Sequence, residues 1–420
     1  MNSEISNKYR WYVLFVLTGV YVFNFIDRQI LVIIQESIKA DLGLSDTQLG
    51  LLTGLAFAAF YVTLGLPIAR YADKNNRKNI VSIALVTWSA MTAISGLVTN
   101  YFQLLMARIG VGIGEAGGSP PSHSMISDYF PPEKRATALS VYSTGIYIGV
   151  LLGFVVGGVI DARYGWRVAF YCLGIPGIIY AALVFFTVRE PIKGMSDPTP
   201  LKEDDSTSFA QVVKHLFKKK TFVYASIGCG LTAFMQYGVG NFMPPFLMRI
   251  HNLDVATIGI WLGLSAGVGG ATGTFLGGYL ADKLRNRNLR WYFWVPILAG
   301  VVNFLPSIIK IFSGNSTAVL ISTVFTSALT AFYLGPMLAV THSLVTAKMR
   351  AVASAVLFFI LNFIGLGLGP LFIGALSDML NPIYGNYSLR WAFTSIFVVG
   401  IAAMTSFYLA SKHYEREINS

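Results

Sequence analysis

The chain has 420 residues, of which 54% are hydrophobic and only 12% charged, and its mean hydropathy is +0.60. That length would hold two or three soluble domains, but a soluble surface cannot be built from that composition. The net charge of +11 does not mark a nucleic-acid binder, because the basic residues lie in short segments between apolar stretches instead of forming one face.

Twelve apolar stretches run near residues 11–38, 46–71, 79–99, 101–127, 136–161, 167–188, 221–248, 255–281, 291–312, 317–345, 350–377 and 391–411. Each is long enough to cross a hydrocarbon core of roughly 30 Å as a helix. The expected fold is therefore an all-α membrane protein of twelve transmembrane helices. The first stretch reads as a span because it lacks a small-residue cleavage pattern and further spans follow.

Helix 1 carries Asn24, Asp27 and Arg28 in the run NFIDRQI. A charge near the bilayer centre costs several kcal/mol and must be paired or wetted, so such residues are candidate functional groups. After helix 2, the run GLPIARYADKNNRKN brings Asp73, Lys74, Arg77 and Lys78 into one polar turn. Helix 4 contains ARIGVGIGEAGGSPP, with Arg108 and Glu115. These two fall about 20° from the same helix face, with Gly112 between them. Helical rise places Asp27 and Arg108 at comparable depth, so an Asp27–Arg108 ion pair is expected, with Glu115 about 10 Å deeper on the same stripe. Arg28 faces about 100° away from Asp27 and is the lesser candidate, able to snorkel outward.

Helix 5 has glycines at near four-residue spacing from Gly145 to Gly158, a smooth face for close packing, and also carries Tyr147. The polar interval from Arg189 to Lys220 holds three prolines, an acidic run and a basic run. It reads as a linker (189–220) between bundles at 1–188 and 221–420. The second half contributes few charges to its spans. Gln236, Tyr237 and Asn241 in helix 7 and Tyr333 in helix 10 are candidate lining groups for an amphipathic substrate, though each residue type also packs helices. His342 reads as interfacial. Cys172 and Cys229 lie in apolar stretches and read as filler. With no phosphate-binding loop, zinc spacing or nucleophile elbow, neither ATP coupling nor hydrolysis has support, and no cofactor or metal is expected.

Of the 31 Lys and Arg residues, 23 fall on the side that also holds both termini, six on the other side and two within spans. The bias puts both termini in the cytoplasm. The halves also repeat: ARYADK at 69–74 returns as GYLADK at 278–283, RATALS at 135–140 as RAVASA at 350–355, and WRVAF at 166–170 as RWAF at 390–393. Three matches in order imply duplication. Six helices per copy make the repeats parallel, an arrangement suited to rocking two bundles about a midplane site.

The run at 65–79 resembles the helix 2 to 3 signature of the major facilitator superfamily, with Ala69 and Asn76 standing where that family usually has glycine. At Asn76 a residue tolerant of left-handed backbone is expected. NFIDRQILVI, RKNIVSIALVTWSA, and ARIGVGIGEAG followed by SDYFPPEKR resemble the spinster branch, strongly in the first half and weakly in the second. The resemblance implies a non-enzymatic, monomeric inner-membrane transporter, with membrane lipids, protons and a lysolipid-like substrate as partners. It places the branch's intramembrane acid, arginine and glutamate on Asp27, Arg108 and Glu115. Asp27 and Glu115 are thus the expected proton-coupling groups. Arg108, Arg28, Asn24, Tyr147, Gln236, Tyr237, Asn241 and Tyr333 are the expected substrate groups. Asp73, Lys74, Arg77, Lys78, Arg135, Asp282 and Arg350 are the expected cytoplasmic gate. A small organic anion held by Arg108, or an uncoupled lipid pathway or membrane sensor, stands as the alternative.

Overall fold

A computed structural model describes residues 6–72, 74–196, 209–346 and 349–418, and these are helical with no strand among them. Span one is α1 (Asn7–Leu42), and span two is broken into α2 (Asp46–Thr53) and α3 (Leu55–Ala72). Span three is α4 (Arg77–Ser95), and span four is α5 (Tyr101–Glu115) followed by α6 (Ser119–Tyr129). Spans five and six are α7 (Pro132–Tyr164) and α8 (Trp166–Thr187). The amphipathic α9 (Phe209–Lys218) precedes span seven, α10 (Lys220–His251). Span eight is α11 (Val255–Leu264) and α12 (Ala271–Arg285), and span nine is α13 (Trp291–Phe312). Span ten is α14 (Ser316–Thr330) and α15 (Leu334–Ser343). Span eleven is α16 (Arg350–Leu361) and α17 (Gly369–Tyr384), and span twelve is α18 (Ser388–Ile418). These are the twelve expected spans. Eight helical stretches among the described residues are long and apolar enough to cross a membrane on those grounds alone, one of them covering spans eleven and twelve. Span four, which carries Arg108 and Glu115, is not one of the eight.

Local chemistry sets the ends. Ser45 and Gln48 form a reciprocal capping box at the start of α2, satisfying donors that a helix start leaves open. Asn76 corrects the expectation of a left-handed turn: its φ is −71°, and its side chain accepts from the Asn79 amide to cap α4. Capping satisfies the helix start, so no left-handed residue is needed there. The breaks in spans two, four, eight and eleven fall at glycine, which removes side-chain support. Gly117 and Gly118 precede Pro120 and Pro121 between α5 and α6, and glycine-rich π turns interrupt spans eight and eleven. Such turns concentrate at functional positions in helices.

The described residues group into two compact units. Unit 1 comprises those within Met1–Leu44, Ala56–Lys202 and Asp254–Gly263, and unit 2 those within Ser45–Leu55, Glu203–Leu253 and Leu264–Ser420. In unit 1, the α7 glycines seat that helix on α1. A Cβ at Gly145 would lie 2.9 Å from the Thr18 carbonyl oxygen, and one at Gly149 would lie 2.5 Å from that of Val22. This is the backbone approach expected of a small-residue face. It commits the Thr18, Val22 and Ile26 side of α1 to packing and turns Asn24, Asp27 and Arg28 toward the other helices.

In unit 2, α2 is held by its N-terminus. Asp378 accepts from the Asp46 and Thr47 amides at 3.0 and 2.7 Å. Arg249 clasps Asp46 with two bonds of 2.7 and 2.8 Å, and the Ser377 hydroxyl donates to the same carboxylate at 2.7 Å. Arg249, near the end of α10, is thus part of a largely buried bidentate pair.

Candidate functional site

Span one and the broken span four bring four charged side chains together inside unit 1. Asp27 and Glu115 are wholly buried, Arg108 is 2% exposed, and Arg28 is partly buried. The pairing differs from the expected one. Arg28 Nε donates to Glu115 Oε2 at 2.7 Å, whereas Arg108 Nη1 donates to the backbone carbonyl of Asp27 at 3.2 Å. The reason is side-chain direction. In α1 the Cα–Cβ bonds lean toward the helix start, the same way in which antiparallel α5 runs from Arg108 to Glu115. Arg28 therefore reaches back about one turn to the glutamate. Its guanidinium also lies over three rings, 5.0 Å from the Phe25 centroid, 4.8 Å from Phe57 and 4.6 Å from Tyr61. Cation–π attraction in a desolvated setting reaches about 2 kcal/mol.

Asp27 is left in an unusual position: neither carboxylate oxygen accepts a hydrogen bond among the described residues. Its electrostatic neighbours are Glu115, Arg108 and the Thr92 hydroxyl. Glu115 Oε1, Arg108 Nε and both amide atoms of Asn24 are also without hydrogen bonds, and Asn24 lies beside Glu115. Buried polar groups are almost always bonded, so this cluster holds unspent donors and acceptors at its centre. Gly112 makes the approach possible: a Cβ there would stand 2.7 Å from the Phe57 carbonyl oxygen.

Other predicted residues lie elsewhere. Tyr147 is partly buried on α7. In unit 2, Asn241 is 7% exposed and Tyr333 5%. Tyr333 belongs to the hydrophobic core, with Tyr237 packed against it, and Gln236 is exposed. Asp73 lies outside the described residues. Lys74 is exposed, and Lys78 donates to the Phe185 carbonyl at 3.1 Å. Arg77 is not in an open cluster with them. It is 1% exposed and donates to Asp128 at 2.5 Å, Ser124 at 2.8 Å, Glu190 at 2.7 Å and the Pro191 carbonyl at 2.9 Å. This network holds the chain that leaves span six. Arg135 donates to the Phe130 carbonyl at 3.2 Å, and the exposed Asp282 accepts from the Tyr292 hydroxyl at 3.0 Å.

Phe57, Tyr61 and Thr92 are not among the sequence-predicted residues. Phe57 and Tyr61 sit four residues apart, and Phe25 precedes Arg28 by three, spacings that share a helix face. The aromatic cage was therefore legible in principle. A largely apolar span set with a buried, incompletely bonded charge cluster in unit 1 points to a polytopic membrane protein that handles charge within its spans.

Comparisons agree. The model of the Major Facilitator Superfamily matches residues 17–307 and 226–420. An MFS-type efflux pump of Mycolicibacterium smegmatis is 30% identical over 409 residues, 97% of this chain and 94% of that protein. The Sphingosine-1-phosphate transporter SPNS2 of Danio rerio is 31% identical over 232 residues, 54% of this chain and 46% of that one. The crystal structure of a bacterial homologue of the human lysosomal transporter Spinster, inward-facing and unoccupied, superposes with a TM-score of 0.91 at 32% identity, covering 98% of this chain and 99% of that one. The chain belongs to the Major Facilitator Superfamily, in its spinster-like branch, and is a multi-pass membrane transporter of small molecules, not an enzyme.

Proposed function

We propose that this protein is a proton-coupled secondary transporter of an amphipathic, lysolipid-like substrate, working by alternating access in a cell inner membrane with both termini cytoplasmic. The observation that carries the reading is the Asp27 carboxylate, fully buried, with no donor within hydrogen-bond distance among the described residues, and acted on by both Glu115 and Arg108. A carboxylate next to a second acid and a permanent cation exchanges a proton as its surroundings change. Asp27 and Glu115 are the proton-coupling groups. Arg108 and Arg28, with Asn24, meet the substrate's anionic head, and the aromatic cage meets its apolar part. Lys74, Arg135, Asp282 and Arg350 serve the cytoplasmic gate. The similarity to a sphingosine-1-phosphate transporter of Danio rerio favours an anionic amphiphile.

Purified protein in proteoliposomes, given a fluorescent lysolipid and an imposed pH gradient, tests this. Transport should follow the gradient in wild type and lose that dependence in Asp27→Asn and Glu115→Gln. Undiminished gradient-driven transport in both variants would refute coupling through these groups.

A second reading keeps the fold and assigns a small organic anion, because Arg108 Nε has no hydrogen bond among the described residues. Saturable uptake of sugar acids with lysolipids inactive would favour it.

A further inference from the structure

Unit 2 contains a cavity of about 520 Å³ whose lining includes none of the charge-cluster residues. Its lining includes Arg285, His342 and Arg350, the hydroxyl side chains Tyr292, Ser343 and Tyr414, and no carboxylate. Basic residues near a membrane surface are usually solvated and near acids, so a concave wall of three basic groups and three hydroxyls without an acid is selective. Tyr292 and Tyr414 are 5% and 1% exposed, so both rings are packed in the core while contributing to the lining. Arg285 Nη1 donates to the Tyr292 hydroxyl at 2.9 Å, and that hydroxyl donates to Asp282, which is outside the lining, at 3.0 Å. The Ser343 and Tyr414 hydroxyls share a hydrogen bond of 2.9 Å, and His342 Nε2 meets Ser354 Oγ at 2.6 Å. Neither Arg285 nor Arg350 forms an ion pair among the described residues.

We propose that this cavity binds a phosphate-bearing anion, with Arg285 and Arg350 as its charged walls and the Ser343–Tyr414 hydroxyls as supplementary donors. Arginine's fixed fork suits phosphate oxygens, and basic pockets between helices on the cytoplasmic side are where anionic headgroups dock. The lining also includes Leu289, Ala339 and Ile418, apolar surface that an attached acyl chain covers and free phosphate does not. At the same end, α9 is tied by His215 Nε2 to the Leu344 carbonyl at 3.1 Å. Its Lys214, Phe217 and Lys218 are exposed, a basic and aromatic edge suited to a lipid surface. The site does not rest on the transport reading.

Binding to the full-length, detergent-purified protein, followed by native mass spectrometry and thermal shift, tests it without measuring transport. The probes are dioctanoyl phosphatidylglycerol, dioctanoyl phosphatidylcholine and inorganic phosphate. Wild type should prefer phosphatidylglycerol to phosphatidylcholine by at least about tenfold, the size of a charge-assisted hydrogen bond. Arg285→Gln and Arg350→Gln should each weaken that preference and the double variant abolish it, whereas Lys283→Gln, outside the lining, should keep it. Inorganic phosphate binding as tightly as the lipid, with the same variant pattern, would confirm the site and identify free phosphate as its occupant. Equal binding of the two lipids with no phosphate binding, or equal losses in Lys283→Gln and the double variant, would overturn the proposal. Each single variant provides the reading if the double variant does not fold.

Discussion

Arg28 donates to Glu115 at 2.7 Å, while Asp27, its neighbour in sequence, accepts no hydrogen bond at either oxygen among the described residues. Two adjacent residues on α1 thus divide into a paired cation and an unbonded acid. The division follows from reach: the arginine spans about one helical turn and the aspartate does not. The pair predicts strong coupling. Arg28→Met leaves Glu115 buried without its hydrogen-bonded cation, and breaking a buried pair from one side costs about 3–5 kcal/mol. Replacing both, as Arg28→Met with Glu115→Gln, should cost much less. A double-mutant cycle on thermal unfolding in detergent should give an interaction energy of about 1–3 kcal/mol. Additive losses would mean that the bond contributes nothing to stability.

Asp27→Asn distinguishes a static network from an exchangeable proton site. An aspartate that knits the first unit together would lose bonds on substitution, and melting would fall. Here only the interaction with the Thr92 hydroxyl is lost, since neither oxygen has a donor within hydrogen-bond distance among the described residues, and the amide removes the cost of a buried charge. Melting of Asp27→Asn should therefore equal or exceed that of wild type while gradient-driven transport disappears. A fall in stability of more than about 1 kcal/mol, the net worth of a typical hydrogen bond, would assign Asp27 to structure.

Two glycines on α5 predict opposite tolerances. A Cβ at Gly112 would lie 2.7 Å from the Phe57 carbonyl oxygen, a backbone atom, whereas one at Gly110 meets the Met91 side chain. Methionine moves aside readily, but backbone does not, and overpacking costs about 1–3 kcal/mol. Gly112→Ala should push α5 from α3, loosen Arg28 from its cage and reduce transport, with Gly110→Ala close to wild type. Thermal unfolding and transport of the two variants, side by side, check this. Equal effects would show that the α5–α3 approach does not position the cluster.

The number of spans, the repeat and the identity of Asp27, Arg108 and Glu115 were legible because each rests on a property of single segments. Apolar length marks a span, and a charge inside one is costly enough to stand out. The partner of each charge was not legible. Helical geometry gives the azimuth of Arg28 on α1, but its partner depends on how α1 and α5 lie together and on the reach of a long side chain. The same limit hid the clasp between Asp46 and Arg249, 203 residues apart in sequence. Tyr333 was misleading for another reason: a tyrosine in a span suits either a lining or a core, and here it packs in the core of unit 2.

Lys310 is the second case where position in sequence misdirects. Two residues from the end of α13, it reads as an outer-surface charge, yet it is 7% exposed, and its Nζ donates to Thr326 Oγ1 at 3.2 Å. No carboxylate lies within ion-pair distance of it among the described residues. A buried amine with one neutral acceptor pays desolvation that the hydroxyl only partly returns. Lys310→Met keeps the length of the side chain and removes that penalty, so it should stabilise unit 2 by about 1–3 kcal/mol. Thr326→Val should destabilise wild type by removing the amine's acceptor, yet be nearly neutral in the Lys310→Met background. Thermal unfolding of the four proteins completes the cycle. If Lys310→Met lowers the melting temperature instead, the amine contributes more than it costs and its neighbourhood supplies a counter-charge that its fold position does not suggest.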